Sequence, residues 1–235
     1  MKLQKLYSYV RQAVQKYNML EENDKIAIGI SGGKDSLTLL YALAGLRRFY
    51  PCHFELVAIN VDFGYENFDV APVAKLCNEL DVPFYHVETE IGKILDSHEP
   101  EHGSYCSLCA RLRKGALNNK ALELDCNKVA YAHHMDDMIE TLFLSLFYEG
   151  RLCSFWPVTP LDGTGITVIR PLMLVSESEV IGFKNKYNLP VVKNPCKYDG
   201  KTKRQYVKEL VHSISLDNPG VKKRIMNAIV GTFPA

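Results

Sequence analysis

The chain has 235 residues, of which 47% are hydrophobic, and its formal net charge is +1 at pH 7. This length suits one large domain or one domain with an appendage, and the apolar content suffices for a globular core. No apolar run reaches the length of a membrane span, and the N-terminus lacks a signal-peptide core, so we expect a cytoplasmic protein with no membrane partner. Seven cysteines, an odd number without framework spacing, argue against a disulfide scaffold.

Hydrophobic periodicity predicts an alternation of helices and strands along the chain. Apolar positions at helical spacing predict a first helix over residues 2–20, which packs on the domain or on a second copy in a homodimer. Five short apolar runs predict strands, over 26–30, 54–60, 84–88, 128–132 and 166–169. Further helices are predicted over 37–48, 69–80, 107–124, 136–148, 177–187, 205–213 and 222–230. Residues 89–104 are predicted to form a mobile polar loop, and residues 150–164 are rich in turn formers.

This alternation indicates an α/β fold with a single doubly wound parallel sheet that helices cover on both faces. We expect three parts: an N-terminal helix (1–24), a central α/β domain (25–200) and a basic helical tail (201–235). Ligands of such sheets bind outside the carboxyl ends of the strands. The polar segments that follow the first, second and fourth strands should therefore meet at one edge.

Charge is distributed unevenly along the chain. Residues 62–101 contain ten acidic residues and two lysines, whereas residues 184–224 contain eleven basic and three acidic residues. Such a basic face attracts nucleic-acid phosphate, although an ordinary solvated helix surface can have the same composition.

The first polar segment is Ser31-Gly32-Gly33-Lys34-Asp35-Ser36, between a predicted strand and a predicted helix. Its glycines allow close approach of the backbone to an anion, the helix N-terminus attracts phosphate, and Lys34 and the serines add donors. The common mononucleotide P-loop is excluded, because Ile28 and Asp35 stand where that motif needs Gly and Ser or Thr. A carboxylate here suggests Mg²⁺ between Asp35 and a polyphosphate, while the plain alternative is a βα turn rich in small residues.

The second polar segment follows the fourth strand and runs His133-His134-Met135-Asp136-Asp137. Its histidines and carboxylates share the first turn of a helix at the same sheet edge. Acidic residues at a helix start can also serve only as caps, and His133 with Asp137 could bind zinc, although no third ligand at metal spacing accompanies them. Two histidines exceed what capping needs, so His134 and Asp137 are candidate site residues.

Cys106 and Cys109 form a C-x-x-C at the start of a predicted helix. Such a pair can be a redox pair, half of a zinc site or part of an iron–sulfur site. A thioredoxin-like pair would follow an early strand directly, and a four-cysteine zinc site needs a second C-x-x-C, which the sequence lacks. Cys196, in a turn-forming basic stretch, is the candidate third ligand, whereas Cys126 and Cys153 have no assigned role.

These motifs resemble those of known families. Residues 31–36 are similar to the SGGxDS pyrophosphate loop of the PP-loop ATPases (N-type ATP pyrophosphatases), and residues 132–141 resemble the H-H-x-D-D-x-x-E-T signature of PP-loop tRNA-modifying enzymes. The run 106–115 resembles the C-S-L-C-x-R-L-R-x-G segment of the tRNA 2-thiocytidine synthetase (TtcA) family. The likeness extends over most of the chain, which is short for the family and lacks a second cysteine soon after Cys196.

The resemblance implies an adenine nucleotide alpha hydrolase-like fold and ATP-dependent tRNA thiolation. Enzymes of this family cleave ATP between the α- and β-phosphates, adenylate cytosine O2 and let sulfur displace AMP. It also implies a [4Fe–4S] cluster held by Cys106, Cys109 and Cys196, whose open iron carries the sulfur, with a donor such as a cysteine desulfurase. The alternatives are another base, an amine acceptor as in lysidine synthesis, or a nucleotide- or metal-binding module without turnover.

The resemblance also assigns roles to individual residues. ATP phosphates and Mg²⁺ bind at the loop 31–36, with Asp35 as the magnesium ligand. The adenine lies near Ile59, Val61 and Asp62. The catalytic candidates are Lys34, Asp35, His134 and Asp137. The candidates for contact with RNA phosphate are Arg111, Arg113, Lys201, Lys203 and Arg204.

Overall fold

The computed structural model describes residues 1–64, 69–97, 105–192 and 202–233. In chain order its elements are α1 (Leu3–Lys16), β1 (Asp24–Gly29), α2 (Lys34–Leu46), β2 (Phe54–Val61), α3 (Ala71–Glu79), β3 (Phe84–Val87), α4 (Ile91–Ser97), α5 (Tyr105–Glu123), β4 (Lys128–Ala130), α6 (Met135–Glu149), β5 (Val158–Pro160), β6 (Thr167–Ile169), α7 (Glu177–Lys186), α8 (Lys203–Asp217) and α9 (Val221–Gly231). None of the described helices is both long enough and apolar enough to cross a bilayer.

The strands form one sheet in the order β3-β2-β1-β4-β6-β5. All neighbouring pairs are parallel except β5 and β6, which are antiparallel. The predicted α/β class with a single, mainly parallel sheet is therefore confirmed. The antiparallel edge strand β5 was not anticipated, because it has three residues, one of them a proline, and gave no periodic signal within the turn-rich segment 150–164.

A second correction concerns α4. Residues 89–104 were expected to form a mobile loop, yet Ile91–Ser97 form a helix that buries Ile91 and Leu95. These two side chains are four positions apart and so lie on one helix face, but a helix of seven residues that contains Gly92 gives too short a pattern to be recognised in the sequence. The remainder of that segment, from residue 98 to 104, lies outside the described residues.

The sheet separates two apolar layers. Ile26 and Ile28 of β1 belong to the larger cluster with α1, α2 and α6, while Ala27 between them belongs to a smaller cluster beneath α5. All three are fully buried, as expected for a central strand of a parallel sheet. Side chains that alternate between two buried faces explain why the strand appears as a continuous apolar run.

The terminal helices complete the larger layer. The apolar face of α1, formed by Leu6, Val10, Ala13 and Val14, is fully buried within the chain, so it offers no surface for the homodimer that it had suggested. At the other end, α8 and α9 pack on α6 and bury apolar residues in the same cluster. The division at residues 24 and 200 stays a prediction.

Candidate active site

The glycine-rich loop joins β1 to α2 at the centre of the sheet. Register places Gly29 beside Ile59 of β2 and Ile28 beside Ala130 of β4, so the loop emerges between two strand ends. Gly32 has a φ of 77°, a left-handed conformation that glycine adopts without steric cost. Gly33 caps α2 without a side-chain hydrogen bond, which leaves the first N–H groups of the helix facing a ligand position.

The two serines of the loop bond to each other and to its backbone. Ser36 Oγ donates to Gly33 O at 3.0 Å and accepts from Ser31 N at 3.2 Å, and Ser31 Oγ lies 3.2 Å from Ser36 Oγ. Ser31 Oγ also accepts from Gly33 N at 3.3 Å. In this arrangement the hydroxyls fix the shape of the loop, so its backbone amides and Lys34 supply the groups for an anion.

Lys34 lies between two carboxylates. Its Nζ is 3.0 Å from Asp35 Oδ2 and 3.2 Å from Glu177 Oε1, and Lys208 Nζ of α8 is 2.7 Å from the same Glu177 oxygen. Burial alone would raise the pKa of Glu177, but the two lysines outweigh it and hold that pKa at about 2. Glu177 therefore remains ionised and keeps Lys34 charged beside the loop. The sequence reasoning missed this residue, which appeared only as the first residue of a predicted helix.

His134 joins the loop to the second polar segment. It is the N-cap of α6: His134 N donates to Asp137 Oδ2 at 3.0 Å, and Asp137 N donates to His134 Nδ1 at 3.3 Å. Because Nδ1 accepts, the proton of the neutral ring is on Nε2, which lies 3.5 Å from Asp35 Oδ1. The two predicted motifs thus meet at Asp35.

Asp35 has one oxygen that accepts no hydrogen bond from the described part of the chain. Oδ1 is buried and makes no hydrogen bond there, whereas Oδ2 contacts Lys34. A buried carboxylate oxygen is costly to leave unpaired, and carboxylate oxygens are preferred ligands of Mg²⁺. This oxygen therefore fits the predicted magnesium site.

His133 has a different environment from its neighbour. Its Nδ1 accepts from Arg170 Nε at 3.2 Å, and its ring stacks on Phe155 with centroids 4.3 Å apart. Burial, together with the charge of Arg170, holds its pKa well below the usual value, so the ring is neutral. The zinc pair of His133 and Asp137 gains no support, because the described residues include no group of three potential metal ligands.

A cavity of about 370 Å³ opens at this edge of the sheet. Its walls are the carboxyl ends of three parallel strands, with Gly29–Ser31 after β1, Ile59–Phe63 from β2 and Tyr131–His133 after β4, closed by α5 and by Asp137. The predicted adenine contacts Ile59, Val61 and Asp62 all border it. The structure thus brings the three polar segments together as the topology required.

A second cavity of about 450 Å³ adjoins the first. Asp35, Asp137 and Arg113 border both cavities, and the far wall of the second includes Cys106 and Cys109 from the start of α5. Cys106 is exposed and Cys109 is half-buried. The C-x-x-C pair therefore faces a space that meets the glycine-rich loop at Asp35.

Other cysteines are placed away from this space. Cys77 and Cys126 are buried in the two apolar clusters, and burial raises the pKa of each thiol to about 11, which makes both unreactive at neutral pH. Cys153 is exposed and borders neither cavity. The predicted third ligand, Cys196, lies outside the described residues.

The predicted RNA contacts fall into two groups. Arg111 and Lys203 are exposed, and Lys203 Nζ lies 4.3 Å from the ring centre of Tyr148. Arg113 and Arg204 line the second cavity, where Arg204 bonds Glu140 at 3.0 Å. Lys201 lies outside the described residues.

Comparison with known proteins shows the family. A family model described as a PP-loop domain matches residues 4–214. A tRNA-cytidine(32) 2-sulfurtransferase from Citrifermentans bemidjiense is 39% identical over 227 residues, which cover 96% of this chain and 89% of that protein. The chain belongs to the PP-loop family of tRNA-cytidine(32) 2-sulfurtransferases. A second member, from Geobacter metallireducens, is 40% identical over 234 residues, covering 98% of this chain and 90% of its own length.

Solved structures agree with this membership. The U34-tRNA thiolase NcsA from Methanococcus maripaludis with its [4Fe–4S] cluster superposes with a TM-score of 0.79 at 26% identity, covering 96% of this chain and 76% of that one. The NH3-dependent NAD synthetase from Campylobacter jejuni superposes with a TM-score of 0.52 at 19% identity, covering 100% of this chain and 98% of that one. At this identity the likeness shows a shared fold alone. The resemblance drawn from the three sequence motifs is thereby confirmed.

Proposed function

We propose that this protein is an ATP-dependent, iron–sulfur-dependent tRNA sulfurtransferase that forms 2-thiocytidine. The observation that carries this proposal is the pair of adjoining cavities, one bordered by the glycine-rich loop and the other by Cys106 and Cys109. Activation by ATP and delivery of sulfur each need a separate site, and both must reach the same base. The curated relatives act, by their names, on cytidine 32 of tRNA, and we extend that substrate to this chain.

ATP binds in the first cavity. Its β- and γ-phosphates lie against the backbone amides at the start of α2, with Lys34 as the cation, and its adenine lies against the carboxyl end of β2 near Ile59, Val61 and Asp62. Mg²⁺ is held by Asp35 Oδ1, with Asp137 nearby. This assignment is supported by the uncapped helix start and by the unpaired buried oxygen of Asp35.

The base is activated where the two cavities meet. Cytosine O2 attacks the α-phosphorus of ATP, the new P–O bond forms, and the bond to the β-phosphate oxygen breaks to release pyrophosphate. Sulfur then attacks C2, so that a C–S bond replaces the C–O bond and AMP leaves. Lys34 and the helix N-terminus stabilise the negative charge on the departing pyrophosphate.

The second cavity fits a [4Fe–4S] cluster. Thiolates are the usual ligands of such clusters, and Cys106 and Cys109 present two of them from one helical turn. We propose Cys196 as the third ligand. When bound, the cluster would supply an iron that binds sulfide, and a cysteine desulfurase is the proposed source of that sulfur.

The tRNA approaches the open side of the second cavity. Arg113 and Arg204 line the wall of this cavity, and the exposed Arg111 and Lys203, close to them in sequence, are further candidate phosphate contacts. Because its substrate is tRNA, we place the protein in the cytoplasm.

Paired cysteine variants test this proposal. The Cys106→Ser protein, purified without oxygen, should lose iron, sulfide and thiolation while it still binds ATP, because Cys106 borders only the second cavity. The matched control is Cys153→Ser, since Cys153 is also exposed but borders neither cavity. Full thiolation by the Cys106 variant would overturn the cluster assignment. Absence of tRNA-dependent pyrophosphate release in the wild-type protein would favour a binding module without turnover.

A further inference from the structure

His133 borders the nucleotide cavity but has no role in the function proposed above. Its ring is fixed by two contacts: it stacks on Phe155 at an interplanar angle of 7°, and its Nδ1 accepts from Arg170 Nε. Its Nε2 makes no hydrogen bond to any residue that the structure describes. Nδ1 of the ring is therefore hydrogen-bonded within the protein, whereas Nε2 can bond to a ligand in the cavity.

Two further hydrogen bonds fix the position of Arg170. Its Nη1 donates to Trp156 O at 2.5 Å and to Thr159 Oγ1 at 3.0 Å, and the residue is only 7% exposed. These partners lie in the segment that leads into β5 and in β5 itself, and neither of them lines the cavity. The guanidinium therefore has a single position, and its Nε–H points at His133.

A guanidinium can only donate, so it decides which nitrogen of His133 carries the hydrogen. Nδ1 must be the acceptor, and the neutral ring consequently carries its hydrogen on Nε2. A second proton on the ring is disfavoured because the ring is buried and close to the positive charge of Arg170. His133 is thus a neutral donor with a fixed direction.

We propose that Arg170 is a positioning residue that fixes the Nε2–H tautomer of His133, and that His133 donates this hydrogen to a non-bridging oxygen of the ATP α-phosphate during adenylation. The second half rests on the proposed function. Negative charge grows on these oxygens as the base attacks, and a donor already in place stabilises it without reorganisation. His134 performs no such role, because its Nε2 faces Asp35.

Nitrogen NMR of histidine-labelled protein tests the role of Arg170 without any substrate. The His133 resonances, identified by their loss in His133→Gln, should show a protonated Nε2 and an unprotonated Nδ1 throughout the neutral pH range. In Arg170→Gln, whose side-chain amide can accept as well as donate, His133 should populate the other tautomer. In the exposed control Arg11→Gln the His133 resonances should not change. A protonated Nδ1 in the wild-type protein, or an unchanged ring in Arg170→Gln, would refute the assignment.

Pyrophosphate release tests the donor role. His133→Ala should lower kcat about 100-fold, the usual cost of removing one preorganised donor, with little change in the KM for ATP. His133→Gln, whose amide N–H reaches the same position as Nε2–H, should recover to within about tenfold of the wild type. The exposed control His212→Gln should be fully active. Equal rates for His133→Ala and the wild-type protein would refute the donor role alone, whereas an inactive wild-type protein would refute the proposed function with it.

Discussion

Asp35 borders both cavities, the one proposed to bind ATP and the one lined by Cys106 and Cys109. Its Oδ2 contacts Lys34, its Oδ1 is buried beside His134 without a hydrogen bond from the described residues, and its side chain borders both cavities. A carboxylate in such a position weakens phosphate binding unless a cation lies between them. We propose for this reason that Asp35 binds Mg²⁺ together with the phosphates of ATP.

Asp35→Asn tests this interpretation. The variant should lower kcat/KM for ATP at least about 100-fold, or about 2.7 kcal/mol, because an amide is a poor magnesium ligand. Its thermal stability should change by less than about 1 kcal/mol, because the Asp35 side chain is 31% exposed and the ion pair with Lys34 that is lost is therefore weak. The exposed Asp162→Asn should leave both values unchanged. Retained activity in Asp35→Asn would show that another group binds the metal.

The lowered pKa of Glu177 predicts how the stability of the protein depends on pH. Lys208 and Lys34 overcome the effect of burial and hold its pKa at about 2, below the ordinary value of 4.5. A lowered carboxyl pKa contributes stability that is complete above pH 4.5 and is lost as the pH falls towards 2. Glu177→Gln should therefore be less stable than the wild-type protein by about 1–3 kcal/mol at pH 7, and this gap should narrow between pH 4.5 and 2.

Urea unfolding at several pH values measures that gap. The control is Glu123→Gln, which removes an exposed carboxylate paired with Lys120 on the surface of α5 and should cost less than about 1 kcal/mol. A gap for Glu177→Gln that is as large near pH 2 as at pH 7 would contradict the pairing described here.

Two of the segments proposed from the sequence are contiguous motifs. The loop 31–36 and the segment 132–137 could be singled out because chemistry-bearing side chains cluster along the chain, and the structure places both at one edge of the sheet. Glu177 and Arg170 were not found, because their partners Lys34 and His133 are distant in sequence. Only the folded sheet, which brings several loops to one edge, reveals such pairs.

Among the elements, α6 shows how much local sequence determines. Strand β4 ends, His134 caps the helix, Asp137 completes a capping box, and Gly150 ends the helix in a left-handed conformation. These signals all lie in the segment itself, so its start was predicted within one residue. By contrast, α4 and β5 are short and owe their conformation to packing and to a neighbouring strand, which a local pattern does not contain.

The contact between α1 and α2 depends on a glycine. A methyl group added at Gly45 would overlap the ring of Tyr7 from α1. Gly45→Ala should therefore destabilise the protein by about 1–3 kcal/mol through overpacking, despite the better helix propensity of alanine. In a Tyr7→Ala background the same change should instead stabilise it by up to about 1 kcal/mol. Denaturant unfolding of the four proteins measures this cycle, and equal effects in both backgrounds would exclude the proposed overlap.

At the scale of the whole molecule, helices from the C-terminal part are tied to the site by charge. Lys208 of α8 bonds Glu177, Lys222 of α9 bonds Asp136 at 2.6 Å, and Arg204 bonds Glu140. Part of the excess of basic residues in the C-terminal sequence thus forms ion pairs with acidic residues of α6 and α7. A count of charges along the sequence does not show these pairs. The exposed remainder, including Lys203, is the surface proposed for tRNA.

The fold class, the family and the position of the glycine-rich loop between β1 and α2 could all be predicted from the sequence, because regular alternation and contiguous motifs determine them. The adjoining cavities could not, since they arise where α5, α8 and three strand ends converge. Their shared wall at Asp35, Asp137 and Arg113 is what connects ATP chemistry with the thiols in this account.

Mass spectrometry of nucleosides tests the central claim most directly. The protein, purified without oxygen and carrying its cluster, is incubated with tRNA, MgATP and sulfide, and the digested tRNA is analysed. We expect a cytidine in which one oxygen is replaced by sulfur, formed with one AMP and one pyrophosphate per event and absent without ATP or with Cys106→Ser. Thiolation that persists without ATP, or AMP formation with no thiolated cytidine, would contradict it.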